Sequence, residues 1–124
     1  MHNLVLQSLI ALLRYDLFLR RHSFAELHEY IRRLPLAGRV PEAADAAVIC
    51  DAVAYACIWY PKHALCLQRS AVATTLLRQY GIPAQLVIGA QRLPLRSHAW
   101  VEVDGQVVND KPQVQFDYLV LERC

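Results

Sequence analysis

Three residues in the second half of the chain have the side-chain types of a cysteine-hydrolase triad. Cys66 begins a helix-forming run that extends to Tyr80, His98 begins an alternating strand-like segment, and Asp110 follows the next such segment. The N–H groups and dipole at a helix N-terminus stabilise a thiolate, which is the nucleophilic form of cysteine. Cysteine hydrolysis also needs a histidine to protonate the leaving amine and a carboxylate to hold its imidazole. The order and setting of these residues therefore predict a cysteine hydrolase.

The spacing of His98 and Asp110 about a tight turn predicts that their side chains meet. Asp104-Gly105 is a strong hairpin signal. His98 lies six residues before Asp104, and Asp110 lies five residues after Gly105. Residues placed almost symmetrically about such a turn face each other across the strand ladder. Each residue type alone also has a structural explanation, as a core cysteine, a core histidine or a turn-capping aspartate.

The elements that must position these residues are predicted to be four helices followed by short antiparallel strands. The predicted helices are Leu4–Arg20, the Ser23–Glu26 capping box to about Leu34, Pro41-Glu42 to about Tyr60, and Cys66–Tyr80, with Gly81 as the residue that ends it. The predicted strands are Ala84–Gly89, His98–Val103, Gln106–Asn109 and Phe116–Leu121. Helices followed by antiparallel strands are typical of an α+β fold.

Length and composition favour one globular domain. We expect a single domain over residues 1–124, with a helical part in residues 1–60 and the Cys-His-Asp core in residues 61–124. A net charge of +2, without a Lys/Arg run, argues against nucleic-acid binding. The apolar segment Leu4–Leu19 is interrupted by charges and is too short to span a membrane comfortably. It must be covered by the domain core or by a partner protein.

The four cysteines favour reduced thiols in the cytoplasm. Cys50, Cys57, Cys66 and Cys124 lack the spacing of a disulfide framework. Cys50, Cys57, His63 and Cys66 can be drawn as a zinc cluster, but Cys50 and Cys57 lie two helical turns apart and no Cys-x-x-Cys pair anchors them. We expect no metal, core positions for Cys50 and Cys57, and a tail position for Cys124. Without a Gly-rich phosphate loop, no nucleotide cofactor is expected either.

Four stretches of the sequence resemble the leader peptidases of lasso-peptide biosynthesis. They are Cys66–Ser70, Leu76–Ala84, Leu86–Gly89 and His98–Gly105, all within residues 59–121. These peptidases belong to the transglutaminase-like branch of the papain-type cysteine proteases. The resemblance therefore implies a transglutaminase-like protease core with a small antiparallel sheet.

By position, the resemblance implies Cys66 as the nucleophile, His98 as the general acid and base, and Asp110 as the residue that orients the imidazole. Members of the family remove the leader from a ribosomally made precursor peptide. In split systems a separate recognition protein holds the leader, and an asparagine-synthetase-like cyclase then closes the macrolactam ring. The resemblance implies that this chain is the stand-alone protease of such a system, with these three molecules as partners.

The second oxyanion donor and the substrate-reading residues stay open at the level of the sequence. The backbone N–H of Cys66 supplies one donor, and the indole N–H of Trp59 is a candidate for the other, although we expect Trp59 to be buried in the core. Four arginines near the site could face an acidic leader or could be solvated surface residues: Arg69, Arg78, Arg92 and Arg96. Two other functions also stay open. Acyl transfer from the thioester to an amine would use the same three residues, and a non-catalytic leader-binding or scaffold role would use none of them for catalysis.

Overall fold

The computed structural model describes residues 2–37, 45–61, 66–92 and 94–124. Within these ranges, helices and strands follow one another in the order α1 (His2–Arg21), α2 (Phe24–Arg32), α3 (Ala46–Trp59), α4 (Cys66–Gln79), β1 (Ala84–Gln91), β2 (Arg96–Val103), β3 (Gln106–Val107), α5 (Val114–Asp117) and β4 (Leu119–Arg123). The strands form one antiparallel sheet in the order β3-β2-β1-β4. The predicted α+β class is confirmed.

Local capping signals determine where the helices begin and end. The Ser23 side chain accepts the N–H of Glu26, and the Glu26 side chain accepts the N–H of Ser23, so the predicted capping box is present. The predicted start of the third helix at Pro41-Glu42 lies outside the described residues, and α3 begins after Asp45, which caps it. Gly81 adopts a φ of 82° directly after α4 and Tyr80, as expected for a helix-ending glycine.

The hairpin that carries His98 has the predicted turn but a shorter second strand. Asp104 and Gly105 both have positive φ, 52° and 79°, as a tight two-residue hairpin turn requires. Strand β3 ends at Val107 rather than at the predicted Asn109. The reason is that the side-chain oxygen of Asn109 accepts a hydrogen bond from the backbone N–H of Val101 at 2.8 Å. A side chain thus replaces the backbone in the ladder at this point.

The strand predicted at Phe116–Leu121 is wrong in its first half. Residues Val114–Asp117 form the short helix α5, and β4 begins only at Leu119. Val114 is buried against Trp100, so packing of this turn on the sheet outweighs the strand-like composition. Strand β4 then pairs with β1, on the side of the sheet away from the hairpin.

The main core lies between the helices and one face of the sheet. Helix α4 contributes a continuous buried stretch, Ser70–Thr74, and packs against β1 and β2. Helix α1 buries Leu12 and Tyr15 in this core. Its opposite face carries four apolar side chains that are each about half exposed: Leu6, Ile10, Leu13 and Leu17. In the described part of the chain, no helix is long and apolar enough to cross a membrane.

Cys124 and Arg78 are both buried, contrary to expectation. Cys124 is 4% exposed, because its N–H bonds to the carbonyl of Leu86 at 2.7 Å and extends the pairing along β1. Arg78 is 8% exposed and donates to the carbonyls of Ile31, Ala84 and Cys124. Arg78 therefore joins α2, α4 and the sheet, and it is neither a solvated residue nor a contact for a substrate.

Candidate active site

Cys66 is the first residue of α4, and its side chain is partly buried. One turn later, the buried hydroxyl of Ser70 donates to the carbonyl of Ala99 at 3.2 Å. The side-chain amide of Asn109 donates to the same hydroxyl at 3.0 Å. Ala99 follows His98 and Asn109 precedes Asp110. The Ser70–Asn109 pair therefore ties the beginning of α4 to the segments that carry His98 and Asp110.

His98 and Asp110 are in direct contact. The distance between Nε2 of His98 and Oδ2 of Asp110 is 2.6 Å, and both side chains are about one-fifth exposed. The other carboxylate oxygen accepts the N–H of Lys111 at 2.7 Å. Burial alone would raise the pKa of Asp110, but the hydrogen bonds from His98 and Lys111 outweigh it and hold this pKa below its usual range. An ionised carboxylate thus accepts from the imidazole at neutral pH.

The imidazole of His98 is held by aromatic rings as well as by Asp110. The Tyr118 ring stacks on it with centroids 5.2 Å apart, and the Trp100 ring lies at 6.0 Å. Gly89 is the partner of His98 in the pairing of β1 with β2. Because Nε2 faces Asp110, Nδ1 is the ring nitrogen left to exchange a proton with another group. This arrangement fixes which edge of the imidazole is available for chemistry.

Cys66 and His98 line the same open cavity, which has a volume of about 370 Å³. Its other walls are mostly apolar and come from α2, α4, β1 and β2, with Leu67, Ile88 and Ala99 among them. Among the hydrogen bonds between described residues, none joins the Cys66 thiol to the imidazole. Catalytic hydrogen bonds are often longer in a free enzyme than in its substrate complex. The structure thus brings the thiol and the imidazole to one cavity, and the imidazole to Asp110.

Comparison with known proteins identifies the family. The profile of the transglutaminase-like superfamily matches residues 9–123 of the chain. This chain belongs to the transglutaminase-like superfamily. It is also 46% identical over 50 residues to the microcin J25-processing protein McjB of Escherichia coli. That match covers 40% of this chain and 24% of the relative, so it involves about a quarter of the relative's length. No solved structure matches the chain significantly.

Trp59 does not take the buried position that was expected of it. It is the last residue of α3, its side chain is 66% exposed, and its ring lies beside Tyr55 at a centroid distance of 6.2 Å. The buried face of α3 ends at Ala56, which leaves the next turn outside the core. Trp59 is not among the described residues that line the cavity of this transglutaminase-like domain. Its proposed role as an oxyanion donor stays a prediction.

The other thiols lie in packed surroundings. Cys50 is buried and Cys57 is partly buried on α3, as expected for core residues, and all four cysteines are free. Burial raises the pKa of the Cys50 and Cys124 thiols to about 11, and it also raises that of Cys57. His63, a member of the hypothetical zinc cluster, lies outside the described residues.

A different group of metal-ligand types converges in the described part of the chain. The side-chain ligand atoms of His28, Glu122 and Cys124 all lie within 4.8 Å of one another. Nδ1 of His28 already bonds to Glu122 at 2.9 Å, and the Arg32 guanidinium pairs with the same carboxylate. A guanidinium beside the cluster opposes a divalent cation, and the ion pairs account for the arrangement without one. We therefore assign no metal to this group.

The remaining arginines differ in their surroundings. Arg69, in the first turn of α4, is partly buried, and its charge contributes to the low pKa of Asp110. Arg92 and Arg96 are exposed at the loop between β1 and β2. For Arg92 and Arg96, both a solvated surface position and contact with the substrate stay predictions.

The cavity also contains residues that the sequence did not indicate. Phe24 and His28 reach it from α2, which lies far from Cys66 along the chain. Tyr118 supports the His98 ring from the segment between α5 and β4, and Asn109 joins α4 to β2. Each of these positions depends on tertiary packing. A sequence signal exists only for Asn109, which directly precedes the candidate aspartate.

Proposed function

We propose that this chain is a cysteine peptidase that cleaves the leader–core bond of a lasso-peptide precursor with Cys66, His98 and Asp110. The observation that carries the proposal is the shared cavity of Cys66 and His98, with Asp110 on the far nitrogen of the imidazole. Membership in the transglutaminase-like superfamily supports cysteine-based acyl chemistry. The similarity to a microcin J25-processing protein supports a peptide precursor as the substrate.

The mechanism follows from the roles of the three side chains. The Cys66 thiolate attacks the scissile carbonyl carbon, and the resulting oxyanion accepts the N–H of Cys66. The imidazolium of His98 gives its Nδ1 proton to the leaving amine, the C–N bond breaks, and a thioester remains on Cys66. Water then attacks the thioester as His98 takes up its proton, which releases the leader as a carboxylate. Asp110 holds the ring and stabilises its charged form throughout.

We propose that the chain works with a leader-recognition protein and an asparagine-synthetase-like cyclase in the cytoplasm. The four free cysteines fit a reducing compartment. A disordered leader loses conformational entropy on binding, so a protease that contacts only a few residues binds it weakly, and a partner that holds the leader raises its effective concentration. The half-exposed face of α1, Leu6, Ile10, Leu13 and Leu17, is the surface that we propose for this partner.

The test measures leader release from the precursor by mass spectrometry. Cys66→Ala and His98→Ala should abolish release, whereas Asp110→Asn should leave a weak residual activity, because it misorients the imidazole without removing it. Cys50→Ala and Cys57→Ala are matched controls and should retain activity. Full activity of Cys66→Ala would refute the mechanism.

The same assay separates hydrolysis from acyl transfer. With an added primary amine, a peptidase should release the leader as the free acid, whereas an acyl transferase would release the leader amide.

Equal rates of leader release with and without the recognition protein would show that leader binding resides in this domain alone.

A further inference from the structure

The α2 side of the cavity carries a polar side chain in a mostly apolar wall. His28 lines the cavity that Cys66 and His98 share, and its side chain is 15% exposed. Phe24 and Ile88 are among the apolar residues that line the same cavity. Apart from the two proposed catalytic residues, His28 is the titratable side chain among the described lining residues, and Ser97 adds one hydroxyl. A single polar group in an apolar pocket commonly fixes the orientation of a ligand.

The partners of His28 determine what its imidazole can bind. Nδ1 lies 2.9 Å from a carboxylate oxygen of Glu122. The hydrogen bond from Arg32 holds the pKa of Glu122 below its usual range, so Glu122 is an ionised carboxylate that can only accept. Nδ1 of His28 must therefore carry the proton. Nε2 lies on the opposite edge of the ring from Glu122, where it accepts a hydrogen bond in the neutral imidazole and donates one in the imidazolium.

We propose that His28, held by Glu122, forms a substrate subsite that makes a hydrogen bond through Nε2 to an uncharged polar side chain of the precursor next to the scissile bond. The peptide carbonyl reacts at Cys66, and His28 lines the same cavity from α2, so we expect a side chain of the bound peptide to reach it. The apolar lining residues suit the stem of that side chain, and Nε2 suits a terminal hydroxyl or carboxamide, either of which can donate and accept. The charge of Glu122 is balanced by Arg32, which removes the preference for a cationic side chain.

This inference rests on the proposed function for the identity of the ligand, but its test does not need catalysis. The probe is a fluorescein-labelled synthetic peptide that spans the leader–core junction of a lasso-peptide precursor. Binding to a Cys66→Ala protein is measured by fluorescence anisotropy. Adding His28→Ala should weaken binding about tenfold, which is the size expected when a partly buried hydrogen bond is lost.

The chain offers a matched control for this variant. His22 also bonds through Nδ1 to a glutamate, Glu26, at 2.7 Å, but it lies on the surface and does not line the cavity. His22→Ala should leave the affinity within twofold. His28→Phe is the second variant, in case His28→Ala does not fold. It keeps an aromatic ring in the cavity wall and removes both ring nitrogens, so we expect a similar loss.

An alanine scan of the peptide identifies the side chain that His28 contacts. Alanine at one peptide position should weaken binding to the protein that retains His28 and have no effect on binding to the His28→Ala protein. The subsite would be overturned if His28→Ala or His28→Phe bound the peptide within twofold of the His28 protein. It would also be overturned if the loss from His28→Ala and the loss from alanine at each peptide position were additive. If the subsite holds while the wild-type chain cleaves nothing, the proposed function fails and the inference stands.

Discussion

Removal of the Asn109 side chain should damage both the fold and the site, since Asn109 connects them. Its oxygen accepts the N–H of Val101 at 2.8 Å, and its amide donates to Ser70 at 3.0 Å. Asn109→Ala leaves the N–H of Val101 without this partner on a buried strand, which costs about 1–3 kcal/mol. For a domain of this size, that corresponds to a fall in the melting temperature of roughly 3–15 °C. Asp110 is the next residue, so its carboxylate should also shift relative to His98.

The assay must separate lost stability from a displaced site. Thermal unfolding gives the stability, and the leader-release rate is measured well below the melting temperature of every variant. We expect kcat of Asn109→Ala to fall at least tenfold with little change in KM, because the loss concerns proton transfer rather than substrate binding. Val53→Ala, which removes buried methyl groups from α3, is the matched control and should lower only the stability.

A second measurement tests whether Ser70 and Asn109 act as one unit. Ser70→Ala should also lower kcat, and the double variant should lose less than the sum of the two single losses, because both substitutions break the same link. Unchanged kcat in Asn109→Ala, with the melting temperature lowered as expected, would refute the reasoning. The Ser70–Asn109 link would then be purely structural.

Three further predictions concern packing, pH and thiol reactivity. Gly89→Ala should lower both stability and turnover, because a Cβ there would lie 2.7 Å from the Trp100 ring and 2.8 Å from Cβ of Tyr118, and such overpacking costs about 1–3 kcal/mol. Gly105→Ala, where the space is open and only the φ of 79° is strained, should lower the melting temperature alone. Burial raises the pKa of Glu102, but hydrogen bonds from Trp100, Gln115 and Arg123 outweigh it and lower that pKa below the ordinary 4.5. Its stabilising contribution is therefore fully present above about pH 4.5 and is lost as the pH falls through the folded-state value, so Glu102→Gln should flatten the acid limb of a denaturant-unfolding series. Iodoacetamide near neutral pH should label Cys66 before Cys50 and Cys124, whose pKa values are about 11, and peptide mapping that found Cys50 labelled first would contradict this order.

The local parts of this structure could be predicted from the sequence. The Ser23 capping box and Gly81 determine helix ends within a few residues of themselves, and Asp104-Gly105 determines the hairpin. His98 and Asp110 lie on either side of that turn, so their spacing indicated the contact, but Asp110 lies beyond the end of β3 rather than opposite His98 in the strand ladder. The α+β class followed from the same local signals.

The parts that depend on packing between distant segments could not be predicted in this way. His28 reaches the cavity because α2 packs beside α4, and no residue near His28 in sequence indicates that contact. Cys124 is buried because β4 pairs with β1 rather than with its neighbour in sequence. Asn109 leaves the ladder because its side chain competes with the backbone, which strand propensity does not describe.

The most direct test of the proposed mechanism is the capture of the thioester on Cys66. The chain is mixed with a lasso-peptide precursor and the recognition protein proposed as its partner, the reaction is quenched in acid during turnover, and the protein is analysed by intact mass and peptide mapping. We predict an adduct with the mass of the leader minus one water on Cys66, which is absent from Cys66→Ala and disappears as free leader accumulates. Cleavage that proceeds at the wild-type rate in Cys66→Ala, or an adduct that maps to Cys50 or Cys57 instead, would contradict the assignment of Cys66 as the nucleophile.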